Sequence, residues 1–419
     1  GRAAATVLAS AADRPLVVIG GDTRESTPML DAALSAGFAA EGVRVVRLGV
    51  APTPMVAFEA QRRGAVGAMV SASHNPFADN GIKLFAAGGS KLTDEVEHRI
   101  EAQLDVMMSP SGAPAPIVSE TSAHGAYLDH VLSVLDGRRL DGLSVVVDAA
   151  NGAAFEVAAE ALGAAGADVT VIAASPTGTN INAGCGATVP SFVAETVRAR
   201  GADLGVALDG DADRLIAVDH TGAVVDGDHI IAIAAEDLRA RGRLRHDTVV
   251  VTVMTNLGFR LAMRDAGIDV VETGVGDRYV LEALAAGGFS LGGEQSGHVI
   301  FADHATTGDG LLTSLVLLDA VKRTGRSLAE LATGAMTSLP QVLVNVRVPE
   351  RVPDFGHEVA ERLADDISEV EQQLGDTGRV LVRPSGTEPL IRVMVEASSA
   401  EQAQAVADGL AAAAHRHFG

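Results

Sequence analysis

The chain has 419 residues, 47% of them hydrophobic, enough apolar material for several packed cores and too much for a disordered chain. Lys and Arg number 32 against 54 Asp and Glu, a formal net charge of −22, and there are two Tyr and no Trp. Phosphodiesters would be repelled and few rings could stack on bases, which argues against nucleic acid and requires any phosphorylated partner to be small and held by local Arg and loop N–H groups.

The opening GRAAATVLASAA carries one Arg and no true apolar h-region, so it does not read as a signal peptide. It starts without Met, as though inside a helix, and the expectation is that a native N-terminal segment precedes it. Three copies of one pattern follow: a β-branched apolar run, a polar turn, an Ala/Leu helix, a Gly, and a second apolar run. The first copy has strands at 15–22 and 43–49 around a helical 29–42. The second has strands at 143–152 and 167–173 around 153–166, and the third has strands at 247–256 and 268–274 around 257–267. Consecutive apolar positions in short runs suit strands buried on both faces of a parallel or mixed sheet.

Between the first two copies, residues 107–120 are rich in Pro, Ser and Gly, and a helical pattern at 125–137 is expected to close the first domain. The most apolar later stretch, 311–321, contains Ser314 and Asp319 and is too short to span about 30 Å of hydrocarbon, so no membrane span is expected. After Leu339-Pro340 the character changes to an alternating run at 342–349, a charged helix, two strands around a polar loop, and a last helix from Ser399 to about Ala414. The predicted fold class is α/β: three consecutive α/β domains with mixed sheets (1–138, 139–236, 237–340) and a smaller C-terminal α+β domain (341–419), arranged around a central cleft.

Four loops carry chemistry. SASHNPFADNGIKLF (71–85) follows the apolar run AVGAMV, so Ser71, Ser73 and His74 fall at the carboxyl end of a strand, where open α/β sheets bind ligands. Its Asn75-Pro76 and Asn80-Gly81 dipeptides predict a tight loop presenting a hydroxyl beside an imidazole. ALDGDADRL (207–215) places Asp209, Asp211 and Asp213 at alternate positions after another strand. Carboxylates that close repel unless a hard cation is present, and oxygen ligands without His or Cys favour Mg²⁺ over zinc. An EF-hand fails, with Arg214 at position six and His220 at position twelve.

FSLGGEQSGHVIF (289–301) offers Glu294, Ser296 and His298 between two apolar runs, a mixture suited to a hydroxyl-rich sugar. Its literal G-F-S-L-G does not turn into a helix and is no nucleophile elbow. RVLVRPSGTEPLIRVMVE (379–396) suspends PSGTEP between strands with Arg383 and Arg392 at its ends; Ser385, Gly386 and Thr387 supply donors and the guanidiniums fork-shaped recognition of a phosphate. No Gly-Lys pair and no G-x-G-x-x-G occurs, and His357-Glu358 lacks the second His of a zinc helix, so nucleotide-driven, dinucleotide and zinc-protease chemistry lose ground. Cys185 is the only cysteine, which rules out an internal disulfide and fits a reducing cytoplasm.

In order and spacing, SASHNP, DGDADR, GEQSGH and RPSGTEP resemble the four signature loops of the α-D-phosphohexomutase superfamily, over nearly the whole chain. Within it, ASHNPFADNGIK, VGDRYV (275–280) and Gln295 are most similar to the branch that interconverts glucosamine 6-phosphate and glucosamine 1-phosphate, at the entry to UDP-N-acetylglucosamine and cell-wall synthesis. The resemblance implies that Ser73 is a phosphoserine nucleophile, and that Mg²⁺ sits on Asp209, Asp211, Asp213 and the Ser73 phosphate. It further implies a hexose 1,6-bisphosphate that acts as intermediate and activator. By the same resemblance Glu294 and Ser296 hold sugar hydroxyls, Asp277 and Arg278 join Arg214 in substrate binding, and Arg383, Ser385, Gly386, Thr387 and Arg392 hold the non-reacting phosphate. His298, His74 and Lys83 are expected in proton transfer or charge stabilisation, and Arg24 and Arg214 in phosphoryl contacts. A homodimer is a family expectation. Members also begin with an F-G-T-D-G-x-R-G strand upstream of Gly1, whose absence predicts weakened activity. The alternatives are a branch acting on mannose or glucose phosphates and a non-catalytic sugar-phosphate binding protein.

Overall fold

The computed structural model describes residues 1–8, 15–104, 106, 113–348, 355–385 and 389–419. The chain divides into two compact units, one of Gly1–Met254 with Ala266–Ala335 and one of Thr255–Asp265 with Met336–Gly419.

The first unit is built from one sheet plan used three times. In the first sheet the strands Ile82–Phe85, Val66–Val70, Leu16–Gly21, Arg44–Val50 and Ile117–Ser119 lie side by side in that order. All are parallel except Ile82–Phe85, which returns antiparallel along Val66–Val70. In the second sheet Leu215–Asp219 runs antiparallel to both Leu204–Leu208 and the short edge strand Val224–Val225, and Ser144–Asp148 and Asp168–Ile172 are the parallel neighbours. In the third, Leu291–Gly293 pairs antiparallel with Val299–Phe301 beside Thr248–Thr252 and Asp269–Thr273.

The repeated apolar runs account for this plan. Val17, Val18, Ile19, Val145, Val146, Val147, Val249, Val250 and Val251 are all fully buried, because helices cover both faces of each sheet. The strands predicted from the three copies are present within a few residues. The helix at Ser122–Leu132 packs on the helices Thr53–Arg63, Val157–Ala165 and Gly310–Thr324, with Tyr127 donating to Asp309 at 2.9 Å. Asp309 in turn caps the last of these, accepting from the Leu311 and Leu312 N–H groups. The pattern read as closing one domain therefore forms a shared contact of three.

The second unit is a three-stranded antiparallel sheet with Leu390–Glu396 between Gln341–Arg347 and Arg379–Pro384. Val346, Ile391, Val393 and Val395 point into a core closed by Val359 and Leu363 and by Ala407 and Leu410 of the helix Ala400–Phe418. Ser399 caps that helix through the Gln402 N–H. Among the described residues no helix is long and apolar enough to cross a membrane.

Candidate active site

In each sheet of the first unit, the connection between two antiparallel neighbours carries a signature loop: 71–81 in the first, 209–214 in the second, 294–298 in the third. Strand ends therefore aim all three loops, and the fold supplies what the motif order alone could only imply.

Ser73 is almost fully buried and has φ +51, a left-handed conformation that costs a non-glycine residue about 1–3 kcal/mol and persists only where surroundings enforce it. The enforcement is visible. The Ser73 N–H donates to Ser71 Oγ at 2.9 Å, and Ser71 donates to Asp22 at 2.6 Å. The Ser73 carbonyl accepts from Arg24 Nη2 at 3.0 Å and from Asn182 Nδ2 at 2.9 Å. Its Oγ donates to Asp209 Oδ2 at 2.5 Å and lies 3.4 Å from His74 Nδ1.

Asp209, Asp211 and Asp213 are buried and offer oxygen atoms within 4.8 Å of one another. Thr53 Oγ1 donates to Asp211 at 2.6 Å, and Lys83 Nζ reaches Asp211 Oδ2 at 2.5 Å and Asp213 Oδ2 at 3.4 Å. Asp211 Oδ1 and Asp213 Oδ1 are buried with no hydrogen-bond partner. Orphaned carboxylate oxygens at that depth, in an all-oxygen donor set, fit a hard divalent cation such as Mg²⁺. Burial, then the charges of Asp213 and Asp211, push the Asp209 carboxyl well above its usual range. Burial opposes ionisation of Asp213 too, yet Lys83, His298 and Arg214 together hold its carboxyl well below that range. Burial also works against the charge on Lys83, but Asp211 and Asp213 outweigh it and raise its affinity for a proton. The His74 imidazole is lowered by burial and by Arg214, which favours its neutral form.

The third loop is set by a tight turn: Glu294 N–H donates to the His298 carbonyl and Gly297 N–H to the Glu294 carbonyl, both at 3.0 Å, with Gly297 at φ +91. Glu294 Oε1 accepts the Gly276 N–H at 3.1 Å, joining the loop to VGDRYV, while Ser296 is exposed. The Gln295 carbonyl accepts the Gly227 N–H at 3.0 Å. His298 is buried; its Nε2 accepts the Gly308 N–H at 3.0 Å, so the ring proton is on Nδ1, 3.6 Å from Asp213 Oδ2. Asp277 lies 3.6 Å from Nε2 and is ion-paired to Lys91.

One expectation is corrected. All five guanidinium N–H groups of Arg24 are committed inside the protein, to Asp22 and to the carbonyls of Ser73, Asn75, Pro76 and Asp79, so the residue builds the 71–81 loop and has no donor left for a phosphoryl group. Arg278 is ion-paired with Asp94 and Glu282 and lines a cavity of about 450 Å³ with Leu281 and Phe289. Arg214, by contrast, has a buried Nε without a hydrogen-bond partner, beside Asp213 at 3.8 Å.

In the second unit Arg383 and Arg392 are directly opposite across the antiparallel strands, and burial, then the Arg392 charge, lowers the proton affinity of Arg383. Two guanidiniums facing one another are stabilised by an anion. Ser385 is buried with its N–H on the Leu390 carbonyl at 2.8 Å; Gly386 and Thr387 lie outside the described residues. Asp22, Thr53 and Asn182 are site residues that sequence reasoning missed. Asp22 is the last residue of a predicted strand, a signal that was available, whereas nothing local marks Thr53 or Asn182.

In the first unit a buried hydroxyl stands on an all-carboxylate cluster that suits a cation, an arrangement fitted to phosphoryl transfer, and the chain is a phosphohexomutase, an isomerase of sugar phosphates. The chain belongs to the phosphoglucomutase/phosphomannomutase family: its alpha/beta/alpha domains I, II and III match residues 1–109, 125–222 and 226–339, and its C-terminal domain matches 343–413. Its relatives include the phosphoglucosamine mutases of Thermobifida fusca, 54% identical over 95% of this chain and 88% of that protein, and of Frankia casuarinae, 56% identical over the same shares. Among solved structures, a phosphoglucomutase/phosphomannomutase family protein from Burkholderia thailandensis shares the fold with a TM-score of 0.82 at 24% identity, over 99% of this chain and 92% of that one. The N-acetylphosphoglucosamine mutase of Aspergillus fumigatus, solved with GlcNAc-6P and magnesium, has a TM-score of 0.66 at 22% identity, over 88% and 93%.

Proposed function

We propose that this enzyme interconverts glucosamine 6-phosphate and glucosamine 1-phosphate through a phosphorylated Ser73, supplying UDP-N-acetylglucosamine and peptidoglycan synthesis in the cytoplasm. The observation that carries the reading is Ser73 Oγ on Asp209 at 2.5 Å, in a backbone conformation held from several sides. The substrate is supported by the relatives named phosphoglucosamine mutase.

In the forward step the bond between Ser73 Oγ and phosphorus breaks and one forms to the sugar's free hydroxyl oxygen, whose proton leaves; the product is a 1,6-bisphosphate. After the sugar turns end for end, its other phosphoryl group passes back to Ser73 Oγ, and a proton returns to the sugar oxygen released. Asp209, Asp211, Asp213 and the phosphorylated Ser73 would hold Mg²⁺, which when bound would supply neutralisation of charge on the transferring group. Lys83, whose proton is tightly held, stabilises charge, and the neutral His74 can accept a proton. Glu294 and Ser296 take sugar hydroxyls, with Asp277 in the adjoining turn. Arg214 takes a phosphoryl oxygen. Arg383, Ser385, Gly386, Thr387 and Arg392 hold the phosphate that is not reacting. The His298 ring, tied to the Gly308 N–H, orients Asp213. We adopt the division at 138, 236 and 340 for the four domains.

The test is the rate on glucosamine 1-phosphate against glucose 1-phosphate and mannose 1-phosphate, with Mg²⁺ and a trace of hexose 1,6-bisphosphate. Preference for the amino sugar supports the reading. Preference for glucose or mannose keeps the mechanism and overturns the substrate. Binding without phosphate on Ser73 would make the chain a sugar-phosphate binding protein.

A further inference from the structure

The left-handed conformation of Ser73 needs a cause outside its own loop. Two carbonyl oxygens, of Ser73 and Asn75, converge on one point, and Asn182 Nδ2 donates to both, at 2.9 and 3.1 Å. Arg24 Nη2 donates to the same pair, at 3.0 and 2.9 Å. The orientation of the Asn182 amide is settled by its partners, since only the nitrogen can face two carbonyl oxygens. Arg24 belongs to the sheet that carries Ser73. Asn182 belongs to the domain that carries the Asp triad, in the connection between the strand Asp168–Ile172 and the helix Pro190–Arg200.

Asn182 is itself fixed: it has φ +57, and its N–H donates to the Ala150 carbonyl at 2.9 Å. The metal loop closes the remaining side, because a Cβ added at Gly210 would lie 2.5 Å from the Ser73 carbonyl oxygen and 2.9 Å from Asn182 Nδ2. No side chain fits there without driving the two loops apart.

We infer that Asn182 is a positioning residue for phosphoryl transfer: it clamps the backbone of Ser73 so that the hydroxyl is delivered to the Asp triad built on Asn182's own domain. It touches no reacting atom and acts through the backbone of Ser73 and Asn75. The inference rests on the reading of Ser73 as nucleophile, and its test separates the two. Misplacement of a reacting group by about 1 Å costs on the order of a hundredfold in rate.

Asn182→Ala removes both donors, and Asn182→Asp keeps the shape while turning carboxylate oxygens toward two carbonyls. Three readouts are compared with the unaltered enzyme: phosphorylation of Ser73 by glucose 1,6-bisphosphate followed by mass spectrometry, kcat and KM for the sugar phosphate, and a crystal structure giving φ at Ser73. The expected result is a roughly hundredfold slower phosphorylation and lower kcat, KM within about twofold, an unchanged melting temperature, and Ser73 displaced from the left-handed region. Phosphorylation within threefold of the unaltered enzyme, or Ser73 retained near φ +51, overturns the inference. So does loss of folding in both variants, which makes Asn182 structural. If the unaltered enzyme takes no phosphate on Ser73, the nucleophile reading fails by itself, and φ at Ser73 in the variants still decides whether the clamp exists.

Discussion

Replacing Arg24 by Met isolates what a fully buried guanidinium does for the nucleophile loop. Arg24 and Asp22 have no exposed side-chain surface and are 2.8 Å apart. In Arg24→Met, Asp22 keeps the hydroxyls of Thr27 and Ser71 and the backbone N–H of residue 24, but its charge loses its counter-ion. Removing one partner of a buried pair costs about 3–5 kcal/mol. The carbonyls of Pro76 and Asp79 belong to exposed residues, where water takes over, and those of Ser73 and Asn75 keep Asn182, so the loss is concentrated at Asp22. Local opening of the loop should then be roughly a hundred to a few thousand times more frequent. Hydrogen exchange across 71–81 measures it, with the strand Thr248–Thr252 of the third sheet as internal reference. Unchanged exchange in the loop would refute the reasoning, and equal acceleration at Thr248–Thr252 would show a global rather than local effect. Arg24→Lys should fall between, because an ammonium can pair with Asp22 but cannot bracket four carbonyls.

Lys83 bridges Asp211 and Asp213, so Lys83→Met should lower the melting temperature without divalent ions and increase the rise that Mg²⁺ produces; an equal rise in both proteins would show that Lys83 does not share the cation's ground. Burial raises Asp309 to about 6, above its unfolded value, so the folded protein holds more protons than the unfolded chain between the two values, and this group's contribution to stability grows as pH falls through that window. Asp309→Asn keeps the helix cap and should flatten urea-midpoint stability between pH 4 and 6.5 by up to ~3 kcal/mol; an unaltered pH slope would count against it. Arg383→Lys keeps charge but loses the fork, and should raise KM for the sugar phosphate about tenfold with a smaller change in kcat; an unchanged KM would remove Arg383 from phosphate recognition.

The three α/β copies were legible because each buried parallel strand is a short continuous apolar run, as at Val145 to Val147, and the C-terminal change of character because the strand Gln341–Arg347 alternates in burial. The signature loops were legible as motifs. What the sequence hid is the partnership between loops. Asn182 meets Ser73 across 109 positions and Thr53 meets Asp211 across 158, and no local pattern announces such a contact. Arg24 shows the converse: an Arg just past a strand end reads as a ligand for phosphate, and only the folded backbone reveals that neighbouring carbonyls have consumed its donors.

The antiparallel hairpins of the first unit have a consequence for how such an enzyme can be changed. Because each signature loop leaves and re-enters a directly paired antiparallel strand, its length and content can vary while the ladder on either side keeps its register. The same frame accordingly carries the long loop of Ser73, a compact acidic loop and a short polar turn. The three behave as cassettes on a common socket. Exchanging residues 294–296 should retarget the sugar while leaving His298 against Asp213 and Ser73 against Asp209, whereas exchanging 209–214 would break the approach of Gly210 to Ser73 and cost the chemistry itself.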